Sequence, residues 1–421
     1  MKQKVFITGV GAHAATGSTV SDIWQALLQG RTGVRPITQS NLSAWPCRLG
    51  AEIACDNLAR LLPDKKWIKV VSRQDVFGIH AAVQAVENSG LLAYRTALSD
   101  PSAYNESTGV FVASPGNKYM QQYDFLPLIA RSGDNMQQFA DALFDTVHPT
   151  WLLRILPNNV LAYTGIAYGF KGPNQNIANH AASGMQAIIE AFHAIRENQI
   201  DRAVVVAYDV GTEPQALYYY DKLGLISYSD LRPFDAGHDG TIFGEGAAAL
   251  VLESERSVAE RNAPVYAEIL GGKSRPENGS LFGIEAEGHS LAGLLEEVLP
   301  SGLRDEVACV VAHGNGNPRS DDSEALALMK VFSNNVPAVT AFKWSLGHTL
   351  CAAGVLETVL ATQMMSEQCI PGIHNWTTPA SAAKDLSLCA EVRSMLPGKN
   401  IVLINRGFAS MNAVLVLRAC D

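Results

Sequence analysis

Residues 179–208 read NHAASGMQAIIEAFHAIRENQIDRAVVVAY. Within them Ala182, Met185, Ile188, Ile189, Phe192 and Ile195 recur at helical spacing, which predicts one amphipathic helix over 181–198 with its apolar stripe in a core. Ala203–Tyr208 follows as a short apolar run, a strand candidate. The same rhythm extends along the chain. Strand candidates are Val5–Val10, Gly109–Ala113, Ala203–Tyr208, Ala247–Leu252, Val307–Ala312, Ala338–Phe342, Ile401–Ile404 and Ala413–Leu417. Helix candidates are 73–90, 137–145, 181–198, 322–333 and 351–367. Short apolar strands alternating with helices predict parallel sheet with crossover helices, so the class is α/β. A polar stretch, Ser254–Pro264, divides the chain into units 1–253 and 254–421, and a second strand–helix series begins at Val265. The residues of the two units show no repeat by eye. Segments 115–160, around the helix candidate 137–145, and 271–290 are loop-rich and irregular, and such insertions commonly carry specificity or dimer contacts.

The chain has 421 residues, 47% of them hydrophobic and only 17% charged, a composition that predicts a large interior and a surface partly covered by a partner subunit. The net charge is -9 with no basic cluster, which argues against nucleic acid or an anionic membrane as main partner. No stretch is apolar for long enough to span a bilayer, and a strand beginning at Val5 leaves no room for a signal peptide. The seven cysteines are odd in number and form no Cys-x-x-Cys, which predicts reduced, mostly buried thiols in a cytoplasmic protein. No His/Cys spacing suggests a metal site, and no cofactor is expected.

Four segments carry chemistry-bearing residues. Phe234–Glu253 holds glycines 240, 244 and 246 ahead of a strand. A phosphate-binding loop would instead open a helix, so a packed turn entering a core strand is the reading. Ala312-His-Gly-Asn-Gly-Asn-Pro318 follows a strand, where open α/β sheets place ligands. Lys343-Trp-Ser-Leu-Gly-His348 repeats that strand–loop–helix context. Gly407-Phe408-Ala-Ser-Met-Asn412 is a glycine turn between two strands, whose backbone N–H could complete an oxyanion hole. Either histidine alone could be structural; two at strand ends, with a lysine nearby, point to acyl-transfer chemistry.

Taken in order, these motifs resemble the β-ketoacyl-acyl carrier protein synthases of the elongating, type II kind, including the ketosynthase/chain-length-factor group. The resemblance covers nearly the whole chain, from Val5-Phe-Ile-Thr-Gly-Val-Gly11, Trp24 and Leu27-Leu28-Gln-Gly30, through Gly172-Pro-Asn174 and Ala182-Ser-Gly184, to 407–412. It implies the thiolase fold: two similar α/β halves in a five-layer αβαβα sandwich. It implies acyl carrier protein as partner, substrates on its phosphopantetheine, and a homodimer or a heterodimer with a related ketosynthase subunit. Dimers of the family pair a strand from each N-terminal half, here expected to be Ala203–Tyr208. His313 and His348 would stabilise the enolate left by malonyl decarboxylation. Lys343 would pair with Glu357 and hold the histidine network. Phe408 would be the gating phenylalanine, and the N–H groups of 181 and 408 the oxyanion hole.

The departures concentrate at the site. The family's Thr-Ala-Cys is here Asn179-His180-Ala181, its His-Gly-Thr-Gly-Thr is His313-Gly-Asn315-Gly-Asn317, and its Gly-Phe-Gly-Gly is Gly407-Phe408-Ala409-Ser410. Cys351 stands where glycine is common. Alanine at the nucleophile position forms no acyl-enzyme. Three readings follow: a condensing synthase carrying a Cys-to-Ala change, a non-condensing chain-length-factor-like partner subunit, or a malonyl-carrier decarboxylase that uses only the histidines and the oxyanion hole.

Overall fold

A computed structural model describes residues 2–420 apart from 117, 119–122, 278, 280–282, 334, 396–399 and 409. Ten strands form its main sheet. Five come from the first part of the chain: β1 (Val5–Ala14), β2 (Thr108–Ala113), β3 (Asn174–Ile177), β4 (Arg202–Val210) and β5 (Glu245–Ser254). Five come from the second: β6 (Ala267–Pro276), β7 (Val307–Val311), β8 (Ala338–Thr340), β9 (Asn400–Gly407) and β10 (Met411–Arg418). The spatial order is β3-β2-β4-β5-β1 in the first array and β8-β7-β9-β10-β6 in the second. Each array therefore follows the same rule, third-second-fourth-fifth-first, with the fifth strand antiparallel to both its neighbours. The first strands of the two arrays meet through three residue pairs, Val5–Ile7 against Ala267–Ile269.

Identical strand orders reveal a duplication that the residues hide. It reaches the helices. α1 (Arg73–Ser89) covers the outer face of β1, β4 and β5, and its start is fixed by a capping box between Ser72 and Asp75. α2 (Ser183–Arg196) touches β2 and β4 on one side and β6 and β10 on the other. α3 (His289–Val298) lies on β6 and β10 and packs against α4 (Pro318–Phe332). α5 (Ala353–Glu367) touches β4 and β5 of the first array and β9 of the second. α2 and α5 thus form the middle of five layers, with sheet on either side and helices outside. α5 is buried nearly all round, which is why it shows no apolar stripe.

The two central helices begin alike. Each is preceded by a 3₁₀ turn, His180–Ala182 before α2 and Leu350–Ala352 before α5. His180 has φ 51° and Leu350 φ 48°, so both turns open on a left-handed residue. The starts touch: a Cβ on Gly184 would lie 2.6 Å from the Cys351 carbonyl, and one on Gly354 would lie 2.6 Å from the Met185 nitrogen. Only glycine permits that approach.

Several expectations need correction. Residue 181 lies in the 3₁₀ turn, and the α-helix starts two residues later, at Ser183. Ala203–Tyr208 is no edge: it is hydrogen-bonded to β2 on one side and β5 on the other. Among the described residues the free edge of the first array belongs to β3, which pairs there only with β2. Its sequence, Asn-Gln-Asn-Ile, is polar at three of four positions and gave no strand signal. Segment 115–160 holds the expected helix 137–145, here Met136–Thr146, and further helices at Leu126–Ser132 and Trp151–Ile155, and residues 271–276 belong to β6. All seven cysteines are free, but only Cys47, Cys309 and Cys351 are buried. Among the described residues no helix is long and apolar enough to cross a membrane.

Candidate active site

The C-terminal ends of β7 and β9, the loop after β8 and the start of α2 converge on a cavity of about 390 Å³. His180, His313, His348, Phe243, Arg406 and Phe408 are among its walls. Ala181 is fully buried beneath this lining, and its turn contacts the 350–352 turn and the end of β9. Gly407 lies flat on that turn: a Cβ there would stand 3.1 Å from the nitrogen of Ala182 and 3.5 Å from that of Ala181.

The imidazoles of His313 and His348 meet edge to face with centroids 5.2 Å apart. Their tautomers follow from their partners. The Arg406 backbone N–H donates to His313 Nδ1 at 3.2 Å, and the Leu350 backbone N–H donates to His348 Nδ1 at 3.2 Å. A backbone N–H can only donate, so both Nδ1 atoms are acceptors and both rings carry their proton on Nε2. Burial pushes both rings well below the ordinary imidazole pKa, and the nearby Lys343 ammonium pushes the same way. The pair is therefore neutral, with two Nε2–H donors and no partner for them among the described residues.

Lys343 lies behind the histidines, 2% exposed. Its Nζ donates to Glu357 Oε1 at 2.5 Å and to the His313 carbonyl at 2.6 Å. Asn405 Nδ2 donates to Glu357 Oε2 at 2.6 Å. Burial raises the Glu357 carboxyl, and Lys343 opposes that rise. One end of this buried chain fixes the backbone of His313, and the other is anchored in β9.

A second buried layer, absent from the sequence reading, shapes the His313 loop. Glu324 accepts from the His313 N–H at 2.7 Å and the Gly314 N–H at 3.0 Å, and burial lifts its carboxyl to about 7. Asp321 accepts from the Asn315 N–H at 3.1 Å, and Asn315 Oδ1 accepts from the Asn317 N–H at 3.0 Å. Arg406 donates to Glu277 Oε1 at 2.7 Å, the Ser320 carbonyl at 2.9 Å and Asn412 Oδ1 at 3.0 Å. No local signal marked them, since Asp321 and Glu324 lie in the polar run Arg-Ser-Asp-Asp-Ser-Glu of residues 319–324.

His180 has the most unusual setting. Its ring stacks on Phe408 with centroids 4.2 Å apart, and its Nε2 lies 2.8 Å from the Tyr220 hydroxyl. Burial depresses its pKa to about 4. Ser183 Oγ donates to the His180 carbonyl at 2.7 Å and accepts from the Asn179 N–H at 2.6 Å, which holds the left-handed turn. Ala409, expected beside Phe408, lies outside the described residues.

Against this geometry, two family models match. The β-ketoacyl synthase N-terminal domain covers residues 2–257, and the C-terminal domain covers 266–377. The chain belongs to the β-ketoacyl synthase family. Among curated relatives, 3-oxoacyl-[acyl-carrier-protein] synthase 2 of Coxiella burnetii is 29% identical, over 99% of this chain and 98% of its own length. A putative polyketide beta-ketoacyl synthase 1 of Streptomyces cyaneus is 28% identical, over 99% and 98%. Among solved structures, the ishigamide ketosynthase/chain length factor superposes with TM-score 0.88 at 21% identity over the whole of both chains, a likeness of fold. A β-ketoacyl synthase from Burkholderia phymatum superposes with TM-score 0.86 at 25% identity, again over both whole chains. The thiolase-type five-layer sandwich thus stands on the ketosynthase family as well as on the strand order.

Proposed function

We propose that this ketosynthase, of the type II fatty acid or polyketide kind, acts on malonyl-carrier thioesters by decarboxylation, without an acyl-enzyme at residue 181. The observation that carries the reading is the pair of neutral Nε2–H donors, each oriented by a backbone N–H on Nδ1, with the His313 backbone held by Lys343, beside a residue with no nucleophile. A malonyl thioester with its carbonyl oxygen on those two donors loses CO₂ when the bond from C2 to the carboxylate breaks. The electron pair moves into the thioester enolate, whose oxygen the two imidazoles hold more tightly than the ground-state carbonyl. A proton from water at C2 then gives acetyl-carrier. Ala181 takes no acyl chain because it has nothing to attack a thioester with.

Two features favour a site built around Ala181 over an isolated Cys-to-Ala change in a condensing enzyme. His180 is locked by Tyr220 and Phe408, and Asn315 caps its own loop through Asn317. The retained histidine pair in turn favours catalysis over a purely structural, chain-length-factor-like role. Acyl carrier protein is the expected partner. A homodimer or a heterodimer with a related ketosynthase is expected to form on the free β3 edge, and sedimentation velocity reads that assembly.

The deciding experiment gives the protein malonyl-carrier and follows both partners by intact mass. The expected result is acetyl-carrier with no adduct on the protein, and a loss of about a hundredfold or more in His313→Ala. Ala181→Cys serves as the counter-test. Efficient acyl loading on the new thiol, followed by β-ketoacyl-carrier, would overturn this reading in favour of a condensing synthase.

A further inference from the structure

Behind the catalytic cavity lies a second one of about 320 Å³, lined among others by Ala178, Asp209, Glu213, Tyr220, Leu350 and Cys351. The linings of the two cavities share two residues, His180 and Phe408. These are the two rings that stack at 4.2 Å with an interplanar angle of 28°. The stacked pair is therefore the partition between the chambers.

We infer that His180 is a specificity-determining residue that closes the rear chamber and restricts this ketosynthase to short acyl groups of the malonyl and acetyl class. The inference rests on the decarboxylase reading for the identity of the thioester, and adds the limit on chain length. Three restraints hold the ring across the opening. Its backbone sits at φ 51°, fixed by the Ser183 hydroxyl. Its Nε2 is bound to the Tyr220 hydroxyl, and Tyr220 is itself stacked on Phe243 at 4.3 Å. Its face is covered by Phe408. Moving Phe408 alone would leave the imidazole in place, so the passage opens only if the bond to Tyr220 also breaks. A two-carbon acyl group stays in front of the partition. A long saturated chain must breach it to reach the rear chamber, where Ala178, Val210, Ala216 and Leu350 are among the walls.

The test compares equilibrium binding of acetyl-pantetheine and octanoyl-pantetheine to the full-length protein by calorimetry. The unaltered chain is expected to bind the octanoyl probe at least about tenfold more weakly than the acetyl probe. In His180→Ala the ratio of octanoyl to acetyl affinity is expected to rise at least about tenfold. Tyr220→Phe keeps both rings and removes only the tether, and is expected to raise the ratio by a smaller factor. Equal affinity for both probes in the unaltered chain overturns the inference, as does an unchanged ratio in both variants. Malonyl decarboxylation is measured separately on the same samples. If no CO₂ is released while the length ratio shifts as stated, the decarboxylase reading fails and the partition stands. Decarboxylation with no length discrimination fails the partition alone.

Discussion

Glu357→Gln should destabilise this protein far more than an ordinary polar substitution, and the structure sets the size. Glu357 and Lys343 are 3% and 2% exposed and joined at 2.5 Å. The substitution removes one charge and leaves the Lys343 ammonium buried against neutral carbonyl acceptors such as that of His313. Breaking one partner of a buried pair costs about 3–5 kcal/mol. A chain of 421 residues unfolds with an entropy near 2.1 cal/mol/K per residue, so the loss lowers Tm by roughly 3–6 °C. Removing both charges together, in Lys343→Met with Glu357→Leu, should recover most of that cost, because the desolvation penalty of each ion disappears with it. The assay is calorimetric Tm and urea midpoint for Lys343→Met, Glu357→Leu and the double, read as a cycle, with Glu357→Gln measured beside them. Coupling of at least about 2 kcal/mol is expected. Additive costs, or a Glu357→Gln loss under about 1 kcal/mol, would refute the buried ion pair as the support of the His313 loop.

Acid stability should change in His180→Phe. The folded ring titrates at about 4 against an ordinary 6.5, so stability held by the neutral ring is complete above 6.5 and lost as pH falls toward 4. That loss is on the order of 3 kcal/mol; the variant's urea midpoint should fall less steeply across this window, and identical slopes would contradict the assignment. Gly184→Ala drives its Cβ to 2.6 Å from the Cys351 carbonyl and should cost at least about 2 kcal/mol, whereas Gly165→Ala meets its nearest atom at 3.6 Å and should be tolerated; urea midpoints compare them. Iodoacetamide at neutral pH should label the exposed Cys420 and leave Cys351 intact in peptide mass mapping; equal labelling would show the buried thiol environment to be wrong.

The sequence carried the α/β class because its core strands are apolar runs, Ala203–Tyr208 above all, and because 181–198 has a clean helical stripe. The site was legible as two histidines at strand ends and a lysine near one of them. Three things were not. β3 has a polar, half-exposed sequence and is a strand only because β2 lies beside it, so the true sheet edge was missed. The duplication is written in strand order and not in residues. The supports of the loop, Glu324, Asp321 and Arg406, look like surface charges until the chain is folded, since burial is decided by segments distant in sequence.

That duplication explains Cys351. In the second half it holds the place that Ala181 holds in the first: second residue of a 3₁₀ turn opening on a left-handed residue, at the mouth of a central helix. A helix N-terminus ordinarily favours a thiolate. Here the surroundings oppose it. Burial lifts the Cys351 thiol well above its ordinary pKa, and the Asp209 carboxyl beside it adds to the rise. The sulfur donates to the Ser114 carbonyl at 3.5 Å, while its own N–H is taken by Asp209 Oδ2 at 3.2 Å. The histidine pair lies in the other chamber, beyond His180 and Phe408. So one helix start has a thiol without the donors that acyl transfer needs, and the other lies beside those donors without a thiol. A substitution at either position alone changes the residue and not its surroundings, which is why the chemistry assigned to this protein rests on the histidines and not on a displaced nucleophile.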